Sequence, residues 1–326
     1  MKNEIIKLLK DCPDYLSGQV LCEHFGVSRT AIWKAIRQLQ VQGYDIEAVR
    51  NRGYRLKNLQ DVLNQKELED RLKLKWIAKP VYFKEETGST NNDVKLLAEN
   101  GAPHGTMVTA AMQSAGKGRR DRVWKSPAGT TIAMSVLLRP KLGPDLASMV
   151  TLIQAHAIVL AIEEVCGLQA QIKWPNDVVL NGRKVCGILT EMSVSMGEID
   201  YVIVGSGINV NMDSFPEELS EVATSLKLAC GHPVSRLQLI ESILTHFEQE
   251  YDCFEASGDL SFLKESYEAH MVNKDREVRV LDPKEPFEGI ARGINTHGEL
   301  LVEKGDGTIE AIYAGEVSVR GLYGYV

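Results

Sequence analysis

The six cysteines (12, 22, 166, 186, 230 and 253) are scattered, with no CxxC pair among them. That spacing argues against a zinc knuckle and a disulfide framework, and fits free thiols in a reducing cytoplasmic setting. The seven histidines show no HExxH, so a histidine-held metal is not expected. No run approaches the roughly 20 apolar residues of a membrane span, so no membrane partner is expected. The start, MKNEIIKLLKDCPDYLSG, interrupts its apolar positions with charge and has no small-residue cleavage site, which argues against a secretory leader. Nucleotide signatures are also missing. Gly118 follows Lys117 where a P-loop needs Ser or Thr, and no glycine stands at position 111. The dinucleotide pattern GxGxxG fails at Asp121 in GKGRRD and at Val210 in GSGINV, and the HRD and DFG of protein kinases are absent.

What is present is an ordinary globular composition, 44% hydrophobic and 25% charged over 326 residues. That length suits about two or three domains. The net charge of −7 is unevenly spread: residues 1–60 hold 10 Lys and Arg against 6 Asp and Glu, whereas the remainder holds 27 against 38. A basic head on an acidic body implies a separate, anionic partner for the head.

The head reads as helix, turn, helix, hairpin. Gln19 to Phe25 forms a short helix with Val20, Leu21 and Phe25 inward, Gly26 turns, and Ser28 is placed to cap the next helix. There Ile32, Ile36 and Leu39 recur at helical spacing. Ser28, Arg29, Thr30, Trp33, Lys34 and Arg37 fall mostly on the other side. YDIEAVRNRGYRL then alternates about an Asn-Arg-Gly turn, as a β-wing does, and carries Arg50, Arg52 and Arg55. This is the winged helix-turn-helix pattern, with residues suited to operator DNA; the competing reading is a solvated basic face. Such heads act as dimers on two half-sites. The head is expected to end near residue 62, with a linker helix from Asn64 to about Leu72.

The body, residues 63–272, mixes strands and helices around a mostly antiparallel sheet. Its long buried helix covers 145–167, and AQIKWPNDVVL, the Asn181-Gly182 turn and RKVCGILTEMSV form a hairpin. Polar stretches end the strands: TGSTNN, QSAGKGRRDR and KWPND with NGRK. The cation loop, 115–124, sets Lys117, Arg119, Arg120 and Arg122 among glycines. Glycine lets backbone N–H groups approach a polyphosphate, and arginine forks match its oxygens. Residues 273–326 read as short strands of a small β-barrel. The chain is thus expected to be an α+β multidomain protein.

Together GSTN (88–91), QSAGKGRRDRVW (113–124), KWPNDVVLNGRKVCGILTE (173–191) and GSGINVN (205–211) resemble the biotin–protein ligases. With the basic head, the whole chain resembles the bifunctional bacterial kind that also represses the biotin genes. The family usually reads Gly-Arg-Gly-Arg-Arg-Gly-Arg at the loop; Lys117 and Asp121 depart from it. The resemblance implies a central domain of the biotin/lipoate ligase type and an SH3-like C-terminal domain. It implies that biotin and ATP, with Mg²⁺, give biotinyl-5′-AMP and pyrophosphate. A lysine of a biotin carboxyl carrier domain then takes the biotin.

The chemistry joins a carboxylate to an α-phosphate, so fixed cations are required. Lys184 is the candidate point charge between them, and Arg119 closes over the adenylate with Lys117 and Gly118. Arg120 and Arg122 help hold the triphosphate. Ser89, Thr90, Asn91, Gln113, Gly187 and Asn209 complete the implied ligand site, Asn209 having a strand-end amide as its plainer role. Asn176 and Asp177 are candidates for Mg²⁺ or ribose, with a turn-stabilising carboxylate as the alternative for Asp177. Trp124 and Trp174 read as packing residues. Lipoate or octanoate activation on the same fold, and a ligand-sensing repressor without catalysis, are the alternatives. The full cation loop argues against the first and Lys184 against the second. Adenylate binding is expected to order the loop and to favour a homodimer on a palindromic operator.

Overall fold

The structure, a computed structural model, describes the chain apart from residues 13, 42, 43, 59, 60, 62, 142, 144–146, 282–285, 314–317 and 322–326. The head comprises α1 (Lys2–Asp11), α2 (Gly18–Phe25), α3 (Arg29–Val41) and the antiparallel hairpin of β1 (Asp45–Val49) and β2 (Gly53–Asn58). Ile5, Leu9, Leu21, Ile32, Ile36 and Leu39 form its core. The turn between α2 and α3 uses Gly26 at φ 64°, a left-handed conformation that suits glycine. Ser28 Oγ accepts from the Ala31 N–H at 3.3 Å and so caps α3. One expectation fails: Val20 is 47% exposed. It stands one residue, about 100° of helix, from the fully buried Leu21, on the flank of α2 that turns to solvent.

A second core holds the body. α4 (Gln65–Arg71) is capped by Asn64, whose side chain accepts from the Glu67 N–H, and Leu63, Leu68 and Leu72 belong to the body's core. The sheet runs β3 (Val81–Thr87), β4 (Met107–Lys117), β6 (Thr131–Leu138), β10 (Glu198–Asn209), β9 (Arg183–Ser195), β8 (Asp177–Leu180) and β7 (Gln171–Lys173), with β5 (Val123–Ser126) paired to β4. Among the described pairs of named strands in this sheet only β3 and β4 are parallel. The run read as one strand through KWPND divides into β7 and β8 at Trp174–Pro175, where proline supplies no N–H to a ladder. At the free edge of β3 the Gln65 side chain takes a strand's place: its Nε2 donates to Val81 O (2.8 Å) and its Oε1 accepts from Phe83 N (2.7 Å).

Side chains alternate across the sheet, so its two faces bury two sets. Met134, Val136, Val202 and Val204 join the core of α6 (Ala147–Cys166) and α9 (Arg236–Ser257), while Leu137, Tyr201 and Ile203 pack with Val94 and Ala98 of α5 (Thr90–Glu99). Contrary to the sequence expectation, one helix, Ser148–Cys166, has the length and hydropathy of a membrane span. Here it is a core helix. Its polar groups are bonded inside the protein: Gln154 Nε2 donates to Ser206 Oγ (3.0 Å), Thr151 meets Thr190 (2.7 Å) and His156 Nδ1 meets Glu250 (2.6 Å).

After α7 (Glu217–Ser220), α8 (Leu226–Cys230) and α10 (Lys264–His270) comes a five-stranded antiparallel sheet. Its strands are β11 (Glu277–Leu281), β12 (Phe287–Ile294), β13 (Leu300–Glu303), β14 (Ile309–Ile312) and β15 (Ser318–Gly321). Val278, Val280, Ile294 and Leu300 continue the body's core rather than forming their own. The β12–β13 turn is the docking point: Gly298 O accepts from Trp174 Nε1 at 3.0 Å. Gly298 has φ +77°, and a Cβ there would fall 2.8 Å from a methyl group of Leu152. Gly298→Ala is therefore expected to cost about 1–3 kcal/mol, measured as a lower denaturation midpoint at unchanged slope.

Candidate functional site

The polar strand ends converge on two adjoining cavities that share Gly118, Arg119, Trp124, Asn176 and Lys184 in their walls. The smaller, about 50 Å³, is lined by Ser89, Thr90, Asn91, Gln113, Lys117 and Gly187 among others. The larger, about 620 Å³, takes Arg120, Arg122 and Asn209 into its wall, so every ligand-site residue named from the sequence lies at one cavity or both.

The small cavity is made by close approach of the α5 N-terminus to β10. Gly205 permits this, since a Cβ there would collide with the Asn91 amide, and Gly207 likewise admits the Trp124 indole of β5. Thr90 N donates to Gln113 Oε1 (2.8 Å), and Gln113 Nε2 to Ser126 Oγ (3.3 Å). Asn91 is fully engaged: its Oδ1 accepts from Ser135 Oγ (2.6 Å) and its Nδ2 donates to Glu191 Oε2 (2.6 Å) and Leu189 O (3.4 Å). It lines the cavity with its amide already committed and acts there as a strut. Ser89, by contrast, stands at the cap position of α5 without bonding the helix N–H groups through its hydroxyl.

The cationic wall belongs to the β8–β9 hairpin and the loop after β4. Asn181 (φ 49°) and Gly182 (φ 74°) make the two-residue turn, both left-handed as such turns require. Two residues on, Lys184 Nζ pairs with Asp177 Oδ1 at 2.6 Å and lies 5.7 Å from the centre of the Trp124 ring. The loop closes through Gly118 N to Arg122 O (2.7 Å). From it Arg119 Nη1 donates to Asn176 Oδ1 (3.0 Å), and Lys117 Nζ to Asn92 Oδ1 (2.9 Å). Burial, then the neighbouring Arg120, push the Arg119 guanidinium below its ordinary range. Asn176 Nδ2 donates to Ile188 O (3.1 Å), which with the Arg119 bond commits both ends of that amide. Asp177 is then the only carboxylate in the larger cavity's described lining.

Asn209 Nδ2 donates to Thr224 O (3.2 Å) at the cavity's far side. Trp174 is a packing residue, 1% exposed. Trp124 is more than that: it stands between the cavities, and its buried Nε1 finds no acceptor among the described residues. The side chain of Asp121 lies outside the described residues.

Several contributors carried no assignment from sequence. Lys125 and the buried Lys173 add cations to the larger cavity, and Met212, Phe215 and Leu219 give it an apolar side. Ser135, Gln154 and Glu191 hold cavity residues from behind. Lys173 heads the KWPND segment, a usable signal; the three supports are distant in sequence and carry none.

On the head, Ser28, Arg29, Thr30, Trp33, Lys34 and Arg37 are all exposed on one side of α3. Arg37 lies 5.6 Å from the Trp33 ring centre. Arg50 is exposed at the wing tip, while Arg52 and Arg55 stack on Tyr15 at 4.3 and 4.7 Å. Arg55 also bonds Glu47 (3.0 Å), which ties it down more than its neighbours.

Residues 83–209 match the biotin/lipoate A/B protein ligase family, residues 2–55 an HTH domain and residues 275–320 the biotin protein ligase C-terminal domain. The bifunctional ligase/repressor BirA of Bacillus subtilis is 39% identical over 324 residues, covering 98% of both chains. The protein of that name from Escherichia coli is 30% identical and covers 94% of both. A solved biotin protein ligase from Aquifex aeolicus, in complex with biotin and ATP, superposes with a TM-score of 0.67 at 31% identity, over 74% of this chain and 99% of that one. The chain belongs to the biotin–protein ligase family, with the helix-turn-helix head of its bifunctional ligase/repressor members.

Proposed function

We propose that this protein activates biotin with ATP as biotinyl-5′-adenylate, transfers the biotin to a carrier-domain lysine, and represses transcription through its head. The observation that carries the catalytic reading is the meeting of Lys184 and Arg119 on the wall shared by the two cavities. One cavity has the hydrogen-bonding lining that a ureido ring needs, and the other has the cations that a triphosphate needs.

The barrier in the first step is repulsion between biotin's carboxylate and the phosphate it attacks. Lys184 stands where the two anions meet, and its charge stabilises both as the acyl–phosphate bond forms and pyrophosphate leaves. Asp177 holds the ammonium in place before the substrates arrive. Arg120, Arg122 and Lys173 receive the departing charge. Magnesium enters with ATP as part of the substrate, and Asp177 is the group that fits it, since this ion favours one or two carboxylates plus phosphate oxygens. Asn176 serves instead to hold Arg119.

The small cavity is below the roughly 300–1,000 Å³ of typical ligand sites. Admission of biotin therefore requires Trp124 and the cation loop to swing outward, and their return excludes water from the mixed anhydride. The carrier lysine then displaces AMP. The head, ending near residue 62, presents α3 to the major groove and Arg50 and Arg52 to flanking phosphates. Loop closure over the adenylate favours a homodimer that places two heads on a palindromic operator.

Pyrophosphate exchange into ATP, run with biotin, lipoate, octanoate or no acid, tests the first step: exchange with biotin alone is expected. Lys184→Ala is expected to reduce it by about 10²–10³-fold, and Arg119→Gly to release adenylate into solution, seen as biotin-dependent AMP formation without acceptor. Ser135→Ala leaves the Asn91 carbonyl without its donor. Biotin affinity should fall about tenfold, in line with about 1–2 kcal/mol for a buried acceptor left unpaired, with ATP affinity unchanged by titration calorimetry. Arg50→Ala is expected to weaken DNA binding uniformly across sequences and to lower the salt slope of log K by about 1 in a fluorescence titration.

A further inference from the structure

We propose that Asp61, in the segment joining head to body, is a positioning residue for the nucleotide cavity, so that one carboxylate anchors both the cavity's apolar side and the tether of the head. The inference rests on the larger cavity being the ATP site.

Residues 212–224 form a strap along that cavity, contributing Met212, Phe215, Leu219 and Val222 to its lining. At its far end the strap is bonded to the backbone of Lys184: Lys184 N donates to Val222 O (2.8 Å) and Thr224 N to Lys184 O (2.9 Å). At its base, Ser225 Oγ donates to Met212 O (2.7 Å). The residue before the strap, Asn211, lies between two cavity residues, Asn209 and Met212. Its Nδ2 donates to Asp61 Oδ2 (2.8 Å) and its Oδ1 accepts from Val234 N (2.9 Å).

Asp61 is itself held firmly. Arg236 Nε donates to both of its oxygens at 2.8 Å, and the Arg236 backbone N–H, in the first turn of α9, donates at 2.9 Å. Arg236 also reaches Thr131 O (3.4 Å) on β6, and Thr131 pairs in register with Asn209. Both ionic side chains are largely buried, at 19% and 7% exposure. Burial pushes the Asp61 carboxyl upward while Arg236 pulls it back down. Such a pair is costly to break from one side, which makes it a firm anchor. On the other side, β2 of the wing ends at Asn58, only three residues earlier and within about 10 Å of reach. A nucleotide pressing on the strap therefore acts on Asn211, and through Asp61 on the head's tether. By linkage, the head's placement acts back on nucleotide affinity by the same factor.

Two variants of the full chain test this. Asp61→Asn removes the charge and risks the fold. Asn211→Ala cuts the strap's tie and leaves the Asp61–Arg236 pair intact. For Asn211→Ala, carrier biotinylation should show KM for ATP raised about fivefold or more, with KM for biotin and kcat within about twofold. In the wild type, ATP with biotin should slow trypsin cleavage between Arg55 and Lys66 at least about threefold; in Asn211→Ala it should not. An unchanged KM for ATP in Asn211→Ala, a parallel loss in all kinetic constants, or wild-type cleavage indifferent to ATP overturns the proposal. Absence of biotin-dependent exchange in the wild type instead overturns the functional reading on which it rests, whereas an active wild type with unaffected variants sinks this inference alone.

Discussion

Everything at the site hangs from the backbone of Lys184. A cation proposed to lie between two anions is useful only if it does not follow either of them, so its strand has to be held in place. Here β9 is bonded on one edge to β8 through the tight Asn181-Gly182 turn and on the other to β10 from Cys186 onward, with the strap taking over at Lys184 through Val222 and Thr224. The ammonium is steadied by Asp177. Arg119 belongs instead to the cation loop and docks on this frame through Asn176, on the turn that opens β8. The Lys184 charge is thus prepositioned on the sheet. The parts that move in the proposed cycle, Trp124 and the cation loop, run from the end of β4 into β5.

The acidic character of the body sharpens this arrangement. A chain of net −7 places Arg119, Arg120, Arg122, Lys125, Lys173 and Lys184 around one cleft, with a single carboxylate in its described lining. The field is therefore local to the cleft. The head carries the other concentration of positive charge, so the two polyanions this reading invokes, a nucleotide and DNA, are drawn to different places on one molecule.

The legible parts of the sequence were those in which a short stretch decides its own geometry. Asn181-Gly182 dictated its turn, the spacing of Ile32, Ile36 and Leu39 dictated the buried face of α3, and the cation loop announced its chemistry by composition. Val20 was misplaced because an eight-residue helix has too few apolar positions to fix its rotation. The KWPND run was read as one strand because its apolar pattern continues through the proline that interrupts the ladder. Ser135, Gln154, Glu191 and Asp61 were invisible for a different reason. Each is an ordinary polar residue whose meaning lies in a partner between 44 and 175 positions away, and no local pattern encodes such a pairing. Residues 145–167 are legible as a long buried helix, but the membrane-span hydropathy of Ser148–Cys166 is not, because its few polar residues interrupt the apolar run, and those same residues tie it into the protein.

Gln65 illustrates how little it takes to close a sheet. By donating to Val81 O and accepting from Phe83 N, a single side chain occupies the hydrogen-bonding positions that another polypeptide would use on β3. The remaining half of that edge reads Lys84-Glu85-Glu86, where side-chain charge discourages the approach of a foreign strand. On this flank the eight-stranded sheet is thereby guarded against accretion of misfolded neighbours during synthesis. The guard is supplied by the same short helix whose Leu68 seats the linker on the body.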